Sequence, residues 1–102
     1  MIQLKTCHLL IPHELAKEVM GDESHVFLRY YPERKSLLLA SVSQVWFKKM
    51  HQAGQFMLKN KNLQGDKTVA IHEILIDNEL DEEDKELFFE IQGQGKILNI
   101  QL

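Results

Sequence analysis

Three apolar blocks occur twice in this chain, in the same order. His8-Leu9-Leu10-Ile11-Pro12-His13-Glu14-Leu15 is answered by Glu73-Ile74-Leu75-Ile76-Asp77-Asn78-Glu79-Leu80. Val26-Phe27-Leu28-Arg29-Tyr30 is answered by Leu87-Phe88-Phe89-Glu90-Ile91, and Lys35-Ser36-Leu37-Leu38-Leu39 by Lys96-Ile97-Leu98-Asn99-Ile100. The spacing from the second block to the third is the same in both copies. Between the first and the second, the later copy is shorter by about one helical turn. A duplicated unit constrains the fold, because each half can bury the face that the other cannot cover. The expectation is a single domain over residues 1–102, α+β and mainly β. Repeat 1 spans about 4–41, a central helix and loop 42–67, and repeat 2 about 68–102.

At 102 residues with 44% hydrophobic side chains, the chain can hold one modest core. Self-association would add buried apolar surface to so small a domain. One cysteine, Cys7, excludes an internal disulfide and points to a reducing compartment. The apolar run near Leu9 is too short for a signal segment, and no run is long enough for a membrane span, so a cytoplasmic location is expected. The net charge of -3 disfavours nucleic acid as a partner. Its distribution is uneven: Lys48, Lys49, Lys59, Lys61 and Lys67 make the middle basic, and residues 73–90 are acidic.

Leu4 to Ile11 reads as a strand, stopped by Pro12 and followed by a short helix ending near Gly21. Val26 to Tyr31 and Ser36 to Ala40 read as a hairpin across Pro32-Glu33-Arg34-Lys35, with Val26, Leu28 and Tyr30 on one face. Ser41-Val42-Ser43-Gln44 has the form of a capping box. Behind it, Val42, Trp46, Met50, Ala53 and Met57 form one apolar stripe of a central helix. Thr68 to Ile76 reads as a strand, with a helix capped by Thr68 as the alternative. Leu87 to Ile91 and Leu98 to Leu102 alternate as strands joined through Gly93-Gln94-Gly95.

The order of strand, Ile11-Pro12-His13-Glu14-Leu15 step, helix and hairpin resembles the swapped-hairpin AbrB-type fold. The helix at Val42-Ser43-Gln44-Val45-Trp46, between two units, further resembles the MraZ branch of that family. The resemblance covers nearly the whole chain, with Ile76-Asp77-Asn78-Glu79-Leu80 as a degenerate second step. It implies a small pseudo-two-fold barrel and a DNA-binding transcriptional regulator. The family's Asp-x-Gly-Arg-like contact element falls on Lys5-Thr6-Cys7-His8 and on Ala70-Ile71-His72-Glu73. Neither carries the arginine that would grip phosphate or guanine. Only the hydrophobic positions transfer.

No nucleophile–base pair, cofactor fingerprint or metal-ligand spacing is legible, so the chain reads as non-enzymatic, with no cofactor and no metal. The five histidines are scattered, and Cys7 and His8 would point to opposite faces of a strand. Asp81-Glu82-Glu83-Asp84 reads as a solvated turn. Phe27, Leu38 and Phe88 fall on the outward side of their hairpins, and such leftover apolar positions mark association. Tyr31 and Arg34 could anchor a partner at the hairpin. Lys48, Lys49, Lys59 and Lys61 are the candidate nucleic-acid contacts. The function expected is binding, with a homo-oligomer as the first partner and DNA as the alternative.

Overall fold

The computed structural model of the protein describes residues 2–21, 23–92 and 97–102; the Gly93-Gln94-Gly95 connection lies outside the described residues. Period-two alternation sets the first strands. β1 (Ile2–Lys5) and β2 (His8–Ile11) bury Ile2, Leu4, Leu9 and Ile11 and turn Gln3, Lys5 and His8 outward. Thr6 and Cys7 join them with φ of 51° and 61°, the twist that a two-residue hairpin loop demands. Pro12 leads into α1 (His13–Met20), which buries Leu15, Ala16, Val19 and Met20 along one stripe. Gly21 ends that helix at φ 61°.

The hairpin of β3 (His25–Tyr31) and β4 (Ser36–Ser41) follows, then α2 (Val45–His51). β5 (Gly54–Met57), β6 (Lys59–Asn60) and β7 (Lys67–Ala70) lead to α3 (His72–Asp77). β8 (Lys85–Leu87), β9 (Phe89–Gln92) and β10 (Ile97–Gln101) complete the chain. The strands make two antiparallel five-stranded sheets. Sheet A runs β6-β7-β2-β1-β8, and sheet B runs β5-β3-β4-β10-β9. Their inner faces enclose the main core, which includes Leu9, Ile11, Leu37, Leu39, Ile71, Leu75, Leu98 and Ile100. A second cluster of Phe27, Ala40, Phe47, Ala53 and Ile97 lies where α2 packs on the outer face of sheet B.

The mixed α and β content matches expectation, but the closed barrel does not form: the strands divide into two separate sheets. The chain passes between them at Leu58, from β5 to β6, and again at Phe88, from β8 to β9. The alternating run Leu87 to Ile91 is therefore two strands in different sheets.

The central helix is also much shorter than its stripe predicts. Gln52, at φ 50°, terminates α2, and Gly54 to Met57 pair with the free edge of β3 instead. Satisfying a whole row of backbone groups on that edge outweighs a continued helix. Ser41 is a strand residue rather than a helix cap: its hydroxyl accepts the Ser43 N–H at 3.2 Å. The residue that α2 buries is Phe47, fully enclosed, while Trp46 and Met50 are exposed.

Residues 68–76 are neither one strand nor a helix capped by Thr68: β7 ends at Ala70, and α3 begins at His72 with Ile71 at its N-cap. Ile76-Asp77-Asn78-Glu79-Leu80 therefore closes α3 and is not a step leading into a helix. Ile71 and Leu75, at the start of α3, are buried as Ile11 and Leu15 are at the start of α1.

α1 has no cap of its own, since Pro12 offers no side-chain acceptor. Asp66 supplies one from the β6–β7 loop, its Oδ1 accepting the His13 N–H at 2.8 Å. Its Oδ2 accepts from the Asn62 side-chain amide at 3.0 Å. The Asn62 amide and the His13 N–H hold the Asp66 carboxyl below its ordinary value. With the folded value depressed, the contribution is present above about pH 3.9 and is lost as pH falls through the folded value.

Two outcomes follow from this packing. Phe47→Ala should cost about 3–5 kcal/mol in urea unfolding, and Trp46→Ala less than about 1 kcal/mol; equal costs would reinstate the Trp46 stripe. Asp66→Ala should lower Tm at neutral pH, with the gap to the parent closing in acid as the carboxylate protonates. A gap that stays constant through the acid range would mean that the carboxylate charge is irrelevant.

Candidate functional site

The residues that sequence reasoning offered for association separate once the strands are placed. Phe27 is not exposed: it is buried against Phe47 beneath α2. Its outward position in β3 is real, but the helix returns to cover it. Leu38 lies half-buried at the rim of the same cluster. Phe88 stands open, with 75% of its surface exposed, where the chain crosses between sheets. Ile91 on the neighbouring edge strand β9 is also exposed.

Tyr31 and Arg34 do come together, in a group that sequence reasoning saw only in part. The Arg29 and Arg34 guanidinium groups lie 5.4 and 5.5 Å from the Tyr31 ring centre. The Tyr31 hydroxyl is hydrogen-bonded to His51 Nδ1. Burial, then the charges of Arg29 and Arg34, hold the His51 imidazole below its ordinary value and favour its neutral form. The Phe47 ring also packs against His51, tilted by 42° with the ring centres 4.6 Å apart. The group ties α2 to the β3–β4 hairpin.

α2 itself is the larger surprise. It buries one side chain and presents Val45, Trp46 and Met50 to solvent, at 59%, 44% and 69% exposure. Trp46 and Met50 are one turn apart and share a face. Lys48 and Lys49 flank them, both exposed. The indole N–H is satisfied locally by Gln44 Oε1 at 2.9 Å, so the ring is held in a defined position. Sequence reasoning assigned Trp46 to the core, and the stripe gave no sign that the helix would be rotated.

The four candidate lysines divide between the sheets. Lys48 and Lys49 ride on α2, against sheet B. Lys59 and Lys61 lie at the β6 edge of sheet A. Lys61 joins Lys5, Thr6, His8, Leu10 and Thr68 around an open depression of about 340 Å³. The cross-strand register explains the grouping: Lys5 faces His8, and Leu10 faces Thr68, which faces Lys59. Lys5 and His8 flank the Thr6–Cys7 turn, as the last residue of β1 and the first of β2.

A last grouping joins residues far apart in sequence. Cys7 Sγ lies 3.4 Å from Glu82 Oε1, and His72 Nε2 lies 3.0 Å from the same oxygen. The Thr6 N–H donates to Asp84 Oδ1 at 2.9 Å and holds the acidic loop against the β1–β2 turn. Partial burial, the Glu82 hydrogen bond and the charges of Glu82 and Asp84 push the Cys7 thiol up. Sequence reasoning took residues 81–84 as a solvated turn and weighed Cys7 only with His8. Nothing in the spacing of 7, 72 and 82 could have joined them.

Among the described residues, no helix is long and apolar enough to cross a membrane. No family model, no curated protein and no solved structure matches this chain.

Proposed function

We propose that this chain is a small, cytoplasmic, non-enzymatic binding protein that associates with copies of itself. The observation that carries the reading is the outward apolar face of α2. Three large side chains exposed on a seven-residue helix leave apolar surface in water, and a partner would remove it. Tryptophan and its neighbours are the side chains on which interfaces depend most. Among the described residues, the two depressions that Lys61 lines are open to solvent, unlike the enclosed pockets that bind and shield a reacting substrate.

The partner face on the second copy is the β8–β9 edge. It carries exposed Phe88 and Ile91 together with Glu86 and Glu90, which complement Lys48 and Lys49 of α2. An α2-to-α2 contact would instead oppose like charges. The association is therefore head-to-tail.

The reading also holds the chain to be two copies of one unit. The register supports it: Leu28 pairs with Leu39 and Tyr30 with Leu37, as Phe89 pairs with Ile100 and Ile91 with Leu98. Leu9 faces Val69 and Leu38 faces Asn99, each residue opposite its own counterpart. That is the pattern of an approximate two-fold axis through both sheets.

A second reading, a DNA-binding regulator of the MraZ/AbrB kind, is favoured by one observation. Lys5, His8, Lys59 and Lys61 gather on the outer face of sheet A.

Light scattering after size exclusion should show an assembly at micromolar concentration. Trp46→Ser and Phe88→Ser should each reduce it to a monomer. Mixing these two variants should restore a dimer, because one intact contact remains; a wild-type monomer at every concentration refutes self-association. In an electrophoretic shift at two salt concentrations, the DNA reading expects a salt-sensitive complex. It should be lost in Lys59→Ala/Lys61→Ala and retained in Lys48→Ala/Lys49→Ala. Absence of any shift at the lower salt removes that reading.

A further inference from the structure

The β1–β2 turn, the start of α3 and the loop before β8 converge on one spot, each contributing a metal-ligating side chain. Cys7, His72 and Glu82 present sulfur, nitrogen and oxygen atoms that lie within 4.8 Å of one another. We infer that Cys7, His72 and Glu82 form a binding site for a zinc-class divalent cation.

The donor set argues for that class. A thiolate and an imidazole select zinc or cobalt over magnesium and calcium, which demand oxygen ligands. Bond lengths of about 2.0–2.3 Å from a common centre place ligand atoms about 3–4 Å apart. Two of the three separations, 3.4 Å and 3.0 Å, already meet this, and the third pair, Cys7 with His72, lies within 4.8 Å and closes by side-chain rotation. Glu82 now bridges Cys7 and His72 by hydrogen bonds, and a cation would replace those protons as the common partner. On binding, the Cys7 thiol proton passes to solvent, the proton between His72 and Glu82 passes to His72 Nδ1 so that Nε2 is free to ligate, and a water completes the fourth position.

The backbone holds the site from both sides. The Ile71 N–H donates to the Cys7 carbonyl at 3.0 Å, which anchors His72 beside the turn. Thr6 anchors Asp84, two residues from Glu82, and that carboxylate adds negative charge near the thiol. A bound cation would clamp the acidic loop of the second half onto the hairpin of the first. This inference is independent of how the chain associates.

The test is anaerobic titration of the full chain with cobalt(II) chloride. The expected result is a near-ultraviolet thiolate-to-cobalt absorption that saturates at one equivalent, is displaced by zinc and is unaffected by magnesium. Cys7→Ser should abolish the band, and His72→Ala and Glu82→Gln should each weaken binding by at least about 10-fold. His13→Ala should leave it unchanged. All three ligands are at least partly exposed, so the variants should fold, and circular dichroism checks this. Zinc should raise the Tm of the parent and not of Cys7→Ser. A missing band, or binding that survives both His72→Ala and Glu82→Gln, overturns the site and leaves adventitious metal on scattered histidines as the explanation.

Discussion

Two interior antiparallel pairings join the halves of this chain, β2 with β7 in sheet A and β4 with β10 in sheet B, while β1 with β8 adds a third contact at the edge of sheet A. Every other strand is added outward from the two interior pairings. At the second junction Leu37, Leu39, Leu98 and Ile100 are all fully buried, so backbone ladder and core are completed by the same residues. Neither half could satisfy its inner strand edge alone, because an unpaired edge leaves a row of donors and acceptors exposed. The pairings join residues far apart in the chain, so loop-closure entropy is spent before the core rewards it. Such non-local topologies fold slowly for their size.

The outward face of α2 is a consequence of that arrangement. β4 ends at Ser41 beside β10, yet the next strand, β5, must pair with the opposite edge of β3. The connection has to cross the outer face of sheet B. There it meets a slot lined by Phe27, Ala40, Ala53 and Ile97, which admits one large side chain. Phe47 fills it, and the next position on the same face is taken by His51, half-buried beside the Phe47 ring. Val45, Trp46 and Met50 are left in solvent by geometry, although their spacing is that of a core stripe. The apolar surface is a property of the topology, and the proposed association makes use of it.

Much of the strand content was readable because alternation is a local signal. Val26, Leu28 and Tyr30 face inward as their period of two requires, and so do Leu98 and Ile100. α1 was readable from Pro12, its apolar stripe and Gly21. The central segment was not, because its helical periodicity continues through residues that the free edge of β3 captures as a strand. The place of the second helix was misread for a related reason. Apolar blocks can be aligned at several offsets, and no local pattern marks Ile71 and Leu75 as the buried pair at the start of α3. Of the candidate site, Phe88 and the Lys59–Lys61 edge were visible in sequence. Trp46 was assigned to the wrong side, and the Cys7, His72 and Glu82 grouping depends on strand register, which no local pattern encodes.

Crossed pairing has one further chemical result. Because β2 and β7 run antiparallel, the turn before each strand lies beside the helix that follows the other. Asp66, before β7, meets His13 at the start of α1. Cys7, before β2, lies beside His72 at the start of α3, with Glu82 between them. Each place joins a turn side chain to a histidine at the start of a helix, although by the Leu9–Val69 register Asp66 corresponds to Thr6 and His13 to Glu73. Their chemistry differs. At the first, a carboxylate accepts a backbone amide and caps the helix, which uses its charge locally. At the second, the thiol makes no such cap, and its donor atom, with those of the imidazole and carboxylate, can point to a shared centre. The same crossed pairing thus yields a helix cap at one turn and a cluster of sulfur, nitrogen and oxygen donors at the other.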